Sequence, residues 1–444
     1  MKVTGIRKLA KRGGVIGFVA AGLYVLVRTR AGLIGLIAAA GIGAALWFRA
    51  PKPVFISHLD PQKAPLYDLV DLGTQGLGVA VTSLNNRGDA AGVVLLDEDT
   101  VHAAVWIDGR MKDIGTLKGA ISFASDINDR GEVVGLSEAG QESFFGFRWR
   151  SGKMSPLPSV NRKWSAASAI NHQGTIAGVS TSDSAPLVAC AWEGAKTYPL
   201  VMPRGFGVSF AEDVNDRGNL VGFAIDDSGE RAGAVHWDGR RAVALRSLGG
   251  KSSVAVSLNE SGLIGGASNT SGGSEKEWNA VLWHGGRTRD LGRLPGAQWG
   301  VVNSINHRGE IVGASGSGCG TGRACIWVDG KTRDLNQSVN ARGWHLLSAA
   351  AVNDKGQISG TAVYNDQLHG FLLNPRNQSA KIPEPEASDW DANRWRMRPH
   401  NRYVCMMATG TPKLQFGTSA GTQFQFGDMH QDYVLRTHSR TNDQ

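Results

Sequence analysis

Ser125-Asp126-Ile127-Asn128-Asp129-Arg130-Gly131-Glu132-Val133-Val134-Gly135 is one of seven copies of a single skeleton: an apolar residue, Asn, two variable residues, Gly, three more, and a second Gly. The copies start at Asn85, Asn128, Asn171, Asn215, Asn259, Asn306 and Asn353, at intervals of 43, 43, 44, 44, 47 and 47 residues. Such periods belong to repeat architectures, and the content of the repeat chooses among them. Ahead of the Asn, small or short polar side chains alternate, as in Ser122, Ala124 and Asp126 or Ser209, Ala211 and Asp213. That is the two-residue period of a strand with one crowded face. Asn-x-x-Gly then supplies a turn, because Asn bonds its own backbone and Gly tolerates positive φ.

A Val/Ile-rich strand follows, then a variable loop, then a third strand that closes on Trp106, Trp149, Trp192, Trp237, Trp283 or Trp327, with Leu372 expected at that place in the seventh copy. A glycine just beyond (Gly109, Gly152, Gly194, Gly239, Gly286, Gly330) turns the chain into a fourth strand such as Met111-Lys112-Asp113-Ile114-Gly115. Four short strands in about 44 residues make a propeller blade, whereas helical repeats of that length need long apolar stripes. The seventh copy ends at Gly370-Phe371-Leu372-Leu373-Asn374-Pro375 without a fourth strand, and an orphan of fourth-strand type, Leu66-Tyr67-Asp68-Leu69-Val70-Asp71-Leu72-Gly73, precedes the first copy. The expected fold is all-β: a seven-bladed β-propeller over residues 66–375, its ring closed by the amino-terminal strand in the last blade, which leaves no open edge. The small-residue strand is expected innermost, where strands converge, and the Trp strand third.

The runs His102-Ala103-Ala104-Val105-Trp106 and His369-Gly370-Phe371, with Ile114-Gly115-Thr116-Leu117-Lys118-Gly119 and the Asn-x-x-Gly signature, resemble the HAF repeat of extracellular bacterial proteins. The resemblance covers roughly residues 66–375. It implies a propeller-like repeat outside the cytoplasm and no particular activity, since that family has no established common function. Most third strands here keep the aromatic residue and lack the His.

The chain of 444 residues carries a formal charge of +8, which would point to an anionic partner if it lay on the repeats. It does not. Residues 1–59 hold nine Lys/Arg and no acid, and residues 376–444 hold nine bases and seven acids, which leaves a net −3 for residues 60–375. Nucleic-acid binding is thereby disfavoured. The amino-terminal charge suits a membrane instead: Lys2, Arg7, Lys8, Lys11 and Arg12 precede a short apolar run over 13–27, Arg28 and Arg30 interrupt it, and 31–48 is uncharged. A single transmembrane helix over 31–48, within an anchor spanning 1–50, fits the length of a bilayer crossing and places the repeats outside. A hairpin of two spans would strand Arg28 and Arg30 on the outer side, and the small residues Gly43-Ala44-Ala45 leave cleavage of a leader as a third reading. Residues 51–65, with Pro51 and Pro53, read as a tether, and 376–444 as an extended or partly disordered tail whose Trp390, Trp395 and Tyr403 suit a bound segment.

Cys319 and Cys325 flank a loop that a hairpin could bring within disulfide reach, although free thiols there are equally compatible with the sequence. No metal-ligand spacing and no cofactor motif appears, and the acids of Asp97-Glu98-Asp99 and Asp226-Asp227 read as solvated loop charge. Gly417-Thr418-Ser419-Ala420-Gly421 matches a nucleophile elbow only formally, since no strand-to-helix context surrounds it.

The candidate binding residues are Trp164, Trp299 and Trp344, on connections entering innermost strands, with Lys163, Arg342 and His345 beside them. Asp126 and Asp213 are candidates to face the central channel. Such aromatics suit a sugar, a peptide or a partner segment, or else they plug gaps between blades. The sequence therefore points to a membrane-anchored, extracytoplasmic binding or scaffolding module for a protein or envelope component. Two alternatives stay open: an enzyme acting on envelope glycans through Asp126 and Asp213, and the outer cap of a larger membrane complex.

Overall fold

The computed structural model describes residues 67–376, apart from 141–142, 162, 184–185, 240, 273–276, 318–321 and 329, together with three short strands nearer the amino terminus. Those strands, Ile16–Val19, Gly22–Thr29 and Gly32–Ala39, pair as a separate antiparallel sheet. The rest of the expected anchor, the tether and the tail beyond Arg376 lie outside the described residues. No described helix is long and apolar enough to cross a membrane.

Each of the first six repeats folds into four antiparallel strands laid side by side in chain order, and the seventh into three. The sheet built on Asn128 is typical, with strands Ser122–Ile127, Val133–Glu138, Phe144–Arg150 and Lys153–Pro156. The same order recurs around Asn171, Asn215, Asn259 and Asn306. The first and last copies share one eight-stranded sheet, joined where Leu368 bridges Gly78. Its outer strand is Tyr67–Asp71, antiparallel to Gln367–Pro375, with Asp71 opposite Phe371 and Tyr67 opposite Pro375. The orphan strand thus lies where the sequence placed it.

The asparagines tie these sheets into a β-propeller. Each Asn side-chain oxygen accepts backbone N–H groups of its own turn, as Asn85 Oδ1 does from Arg87, Gly88 and Asp89. Each Nδ2 donates to the backbone oxygen of the next Asn: Asn85 to Asn128, then Asn171, Asn215, Asn259, Asn306 and Asn353, and from Asn353 back to Asn85, at 2.9–3.3 Å. All seven asparagines are buried, so an unpaired amide in this circle would cost about 1–3 kcal/mol. A second set of contacts runs beside it, from the backbone N–H after one Asn to the side chain after the next: Asn86 to Asp129, His172 to Asp216, Asp216 to Glu260, His307 to Asp354, and Asp354 to Asn86.

The second glycine of the signature has a different cause from the first. Each innermost strand shifts register just before its Asn, so that Thr82, Ser125, Ser168, Glu212, Val256, Asn303 or Ala350 is an extra residue opposite the second strand. This bulge bends the strand and pushes a carbonyl across the neighbouring strand. A Cβ on Gly92, Gly135, Gly178, Gly222, Gly266, Gly313 or Gly360 would stand 1.9–2.2 Å from that oxygen. Only glycine fits.

The tryptophans occupy one register, each opposite the first residue of the second strand, as Trp106 is to Ala90 and Trp237 to Leu220. In the last copy the residue opposite Ile358 is Leu373, so Leu373, and not the expected Leu372, takes the Trp place. Indole nitrogens of Trp106, Trp192, Trp237, Trp283 and Trp327 donate to carbonyls at the outer end of the preceding repeat, at Leu72, Pro158, Val201, Arg246 and Leu291. Burying one such ring contributes about 4–6 kcal/mol before entropy is subtracted.

Candidate functional site

Asp126 and Asp213 sit two residues before their Asn, immediately after the bulge. Asp126 Oδ1 accepts from Ser83 Oγ (2.5 Å) and from the Ile127 N–H (2.8 Å), and Oδ2 accepts from the Ile170 N–H of the next sheet (2.8 Å). Asp213 repeats the arrangement with the Val214 and Leu258 N–H groups, both at 2.7 Å. Ser257 and Ser304 do the same work further round, accepting from Ile305 and Val352. The two carboxylates are therefore inter-sheet acceptors for backbone groups that the bulge leaves unpaired. Both residues are half-buried, and each carboxyl ties its own strand to the innermost strand of the next sheet.

Burial raises both carboxyls. Asp213 is pushed up to about 7, burial being the main cause and the charge of Asp126 adding to it, against the lowering effect of the Leu258 and Val214 hydrogen bonds. Asp126 is also raised, by burial first. Between an unfolded value near 3.8 and a folded value near 7 the native state holds the extra proton, so the contribution of Asp213 to stability falls as pH rises through that window. His345, lowered to about 4 mainly by burial, acts in the opposite direction over part of the range. The prediction is accordingly a difference: relative to wild type, Asp213→Asn should gain stability as pH rises from 4 to 7, by at most about 4 kcal/mol. Parallel pH–stability curves from urea unfolding would refute the assignment.

Trp164 and Trp299 are 7% and 3% exposed and lie in one extended core cluster with Phe123, Phe144, Phe210 and Trp278. They fill gaps between sheets instead of standing at the surface. Trp278 and Trp299 are bridged by backbone hydrogen bonds, Trp278 N–H to Gln298 O and Gly300 N–H to Trp278 O. Trp344 differs. It is half-buried, stacks on Tyr364 with ring centres 4.8 Å apart, and meets His369 edge-on at 5.3 Å. Tyr364 also meets His369 edge-on, at 5.6 Å. Arg342 is exposed two residues away, and His345 stands within the electrostatic reach of Asp334 and Arg323. The structure thus gathers Trp344, Tyr364 and His369 into a cluster at the entry to the last innermost strand, and leaves Trp164 and Trp299 outside it.

His369 is held from below. Its Nδ1 lies 3.0 Å from Asp71 Oδ1, which also accepts the Gly73 N–H at 2.7 Å. The same tie occurs in the first copy, His102 to Asp113 (2.8 Å) with Asp113 accepting from the Gly115 N–H. Asn279 bonds Asp290, and Arg323 bonds Asp334, at the equivalent places. In the other three copies those two places hold Phe145 and Pro156, Val188 and Pro199, and Gly233 and Ala244, so donor and acid are present or absent together. The His of the HAF-like run is a cross-strand tie to a turn-forming Asp. Recurrence of the tie with Asn and Arg argues against a catalytic dyad, because neither can exchange protons as His does.

Cys325 is a free, buried thiol whose Sγ donates to the Arg323 carbonyl, and it packs with Trp327, Leu291 and Leu294. Facing the sheet interface, it forms no disulfide here, and Cys319 lies outside the described residues. Cys190 is likewise free and buried. Among the described residues no group of three or more His, Cys, Asp or Glu could hold a metal.

No family model matches the chain, and no curated protein matches it. Among solved structures it is similar to a puromycin-hydrolyzing peptidase of Mycobacterium tuberculosis (14% identity, 69% of this chain and 55% of that one, TM-score 0.44). It is also similar to a gluconolactonase of Xanthomonas campestris (12%, 72% and 94%, TM-score 0.35) and to the WD40 repeats of RRP9 (13%, 71% and 99%, TM-score 0.39). The chain spans about half the length of the peptidase. At these values the likenesses assign no activity.

Proposed function

We propose that this chain is a seven-bladed propeller of HAF-repeat type, held at a membrane by its amino-terminal segment, that captures a partner protein or envelope component outside the cytoplasm. Counting the shared eight-stranded sheet as two blades supports the number seven, because each half carries its own Asn turn. The observation that carries the binding reading is the half-buried Trp344–Tyr364 stack beside exposed Arg342. Rigid aromatic surface of this kind, braced from behind by His369 and Asp71, is the usual anchor of a protein or sugar contact. The glycan-enzyme alternative is less favoured, since Asp126 and Asp213 each hold backbone N–H groups of two sheets.

Capture from detergent-solubilised membranes tests the reading. Trp344→Ala combined with Tyr364→Ala should lower partner recovery by about tenfold or more, the effect of removing an interface anchor. Recovery equal to wild type from a well-folded double variant would overturn it. A companion recovered in fixed stoichiometry would identify the propeller as the outer cap of a larger complex.

A further inference from the structure

The second blade breaks the pattern of its siblings around the recurring tryptophan. Trp106, Trp192, Trp237, Trp283 and Trp327 are flanked by Val105 and Ile107, Ala191 and Glu193, His236 and Asp238, Leu282 and His284, and Ile326 and Val328. Trp149 alone stands between two arginines, Arg148 and Arg150. In the register of the outer hairpin, Arg148 faces Ser155 and Arg150 faces Lys153, which places all four side chains on one face of the sheet. They line, with Ser151, a groove of about 350 Å³. Every one of these five side chains can donate a hydrogen bond, and none is acidic.

Beneath the groove lies Glu132, 1% exposed. Its Oε1 contacts Arg148 Nη2 at 2.8 Å and Arg150 Nε at 3.3 Å, and its Oε2 takes the Asn128 amide at 3.0 Å and Arg130 Nη2 at 3.4 Å. Burial raises this carboxyl, but the hydrogen bonds and positive charges outweigh burial and hold it below its ordinary range. One carboxylate therefore faces three guanidinium groups, and Lys153 stands across the hairpin from one of them, Arg150. The Arg148 Nε is buried and has no hydrogen-bond partner. Cations crowded around a single internal anion repel one another, and a second anion on the open side relieves that repulsion. Paired guanidinium groups match two oxygens of a tetrahedral oxyanion, and Lys and Ser supply donors for the others.

We propose that this groove is a binding site for the phosphate group of a phosphate ester. It lies by the turn between third and fourth strands, at the opposite end of the strands from Trp344, so it is independent of partner capture there. A free phosphate monoester and an anionic lipid headgroup share this chemistry, and two probes separate them.

The test is calorimetric titration of the full chain in neutral detergent at low ionic strength, first with inorganic phosphate and then with glycerophosphoglycerol, the headgroup of an anionic lipid. Saturable binding of at least one probe is expected, tighter for glycerophosphoglycerol if the source is lipid and tighter for phosphate if it is a monoester. Arg150→Gln with Lys153→Gln should weaken binding at least about tenfold, while Arg148 remains to neutralise Glu132 and keep the fold. Ser155→Asp, which retains every cation and adds a carboxylate to the groove, should abolish it. Absence of saturable binding by both probes would overturn the proposal, as would equal binding by the double variant, since the arginines would then serve Glu132 alone.

Discussion

A chain lacking residues 1–74 is expected to fail to fold, whereas one lacking residues 1–60 should melt as the full chain does. The longer deletion removes the strand Tyr67–Asp71, which covers the outer edge of Gln367–Pro375. It exposes the side chains of Phe371 and Leu373, both fully buried, and breaks the His369–Asp71 tie and the Trp106 bond to the Leu72 carbonyl. Tyr67, 5% exposed, is lost from the core as well. Together these exceed about 5 kcal/mol, a large part of the stability of a typical domain. Circular dichroism and size-exclusion chromatography of the two chains decide the matter. A cooperative melt from the longer deletion would mean that the first strand does not close the ring.

The second large effect is expected at Gly222. Alanine there should destabilise the protein by about 3 kcal/mol, because its Cβ would stand 2.0 Å from the Phe210 carbonyl and both strands are fixed by pairing on either side. Gly218, four residues earlier in the turn at Asn215, has φ +77° and open space where a Cβ would stand. Alanine at that position should cost about 1 kcal/mol, the penalty of a left-handed backbone alone. Urea unfolding of the two variants separates steric overlap from backbone strain. Equal losses would show that the innermost strand can move aside, and the bulge would then not be the reason for the second glycine.

The turn chemistry of the repeat was readable because Asn-x-x-Gly acts locally, and the Ser/Ala alternation placed the innermost strand for the same reason. What escaped the sequence depends on register or on distance along the chain. The bulge has no residue signature of its own: Thr82, Glu212, Val256 and Ala350 all occupy it. The sequence marks Asp126 and Asp213 as residues of the innermost strand, and only the pairing shows that they also serve the Ile170 and Leu258 N–H groups. Trp164 and Trp299 precede an innermost strand just as a rim residue would, and pattern alone does not distinguish the mouth of the ring from a gap between sheets. The seventh copy has no Trp to mark the register, so the sequence pattern points to Leu372 where the pairing places Leu373. The cluster at Trp344 unites a turn residue with residues of two strands, and His369 meets Asp71 across 298 positions of chain. Its one sequence signal is the joint presence of a donor in the third strand and an Asp in the fourth, which four copies share.

The pairing of Tyr67 with Pro375 also determines how the molecule bears tension. Whatever precedes Tyr67 and whatever follows Pro375 leave the disc from the same spot on its circumference. A pull applied ahead of Tyr67 therefore acts first on one short strand, which can be peeled from its neighbour one hydrogen bond at a time. Five residues at the rim carry that load, held first by the Tyr67 N–H bond to the Ser338 carbonyl and next by the Arg376–Asp68 clasp.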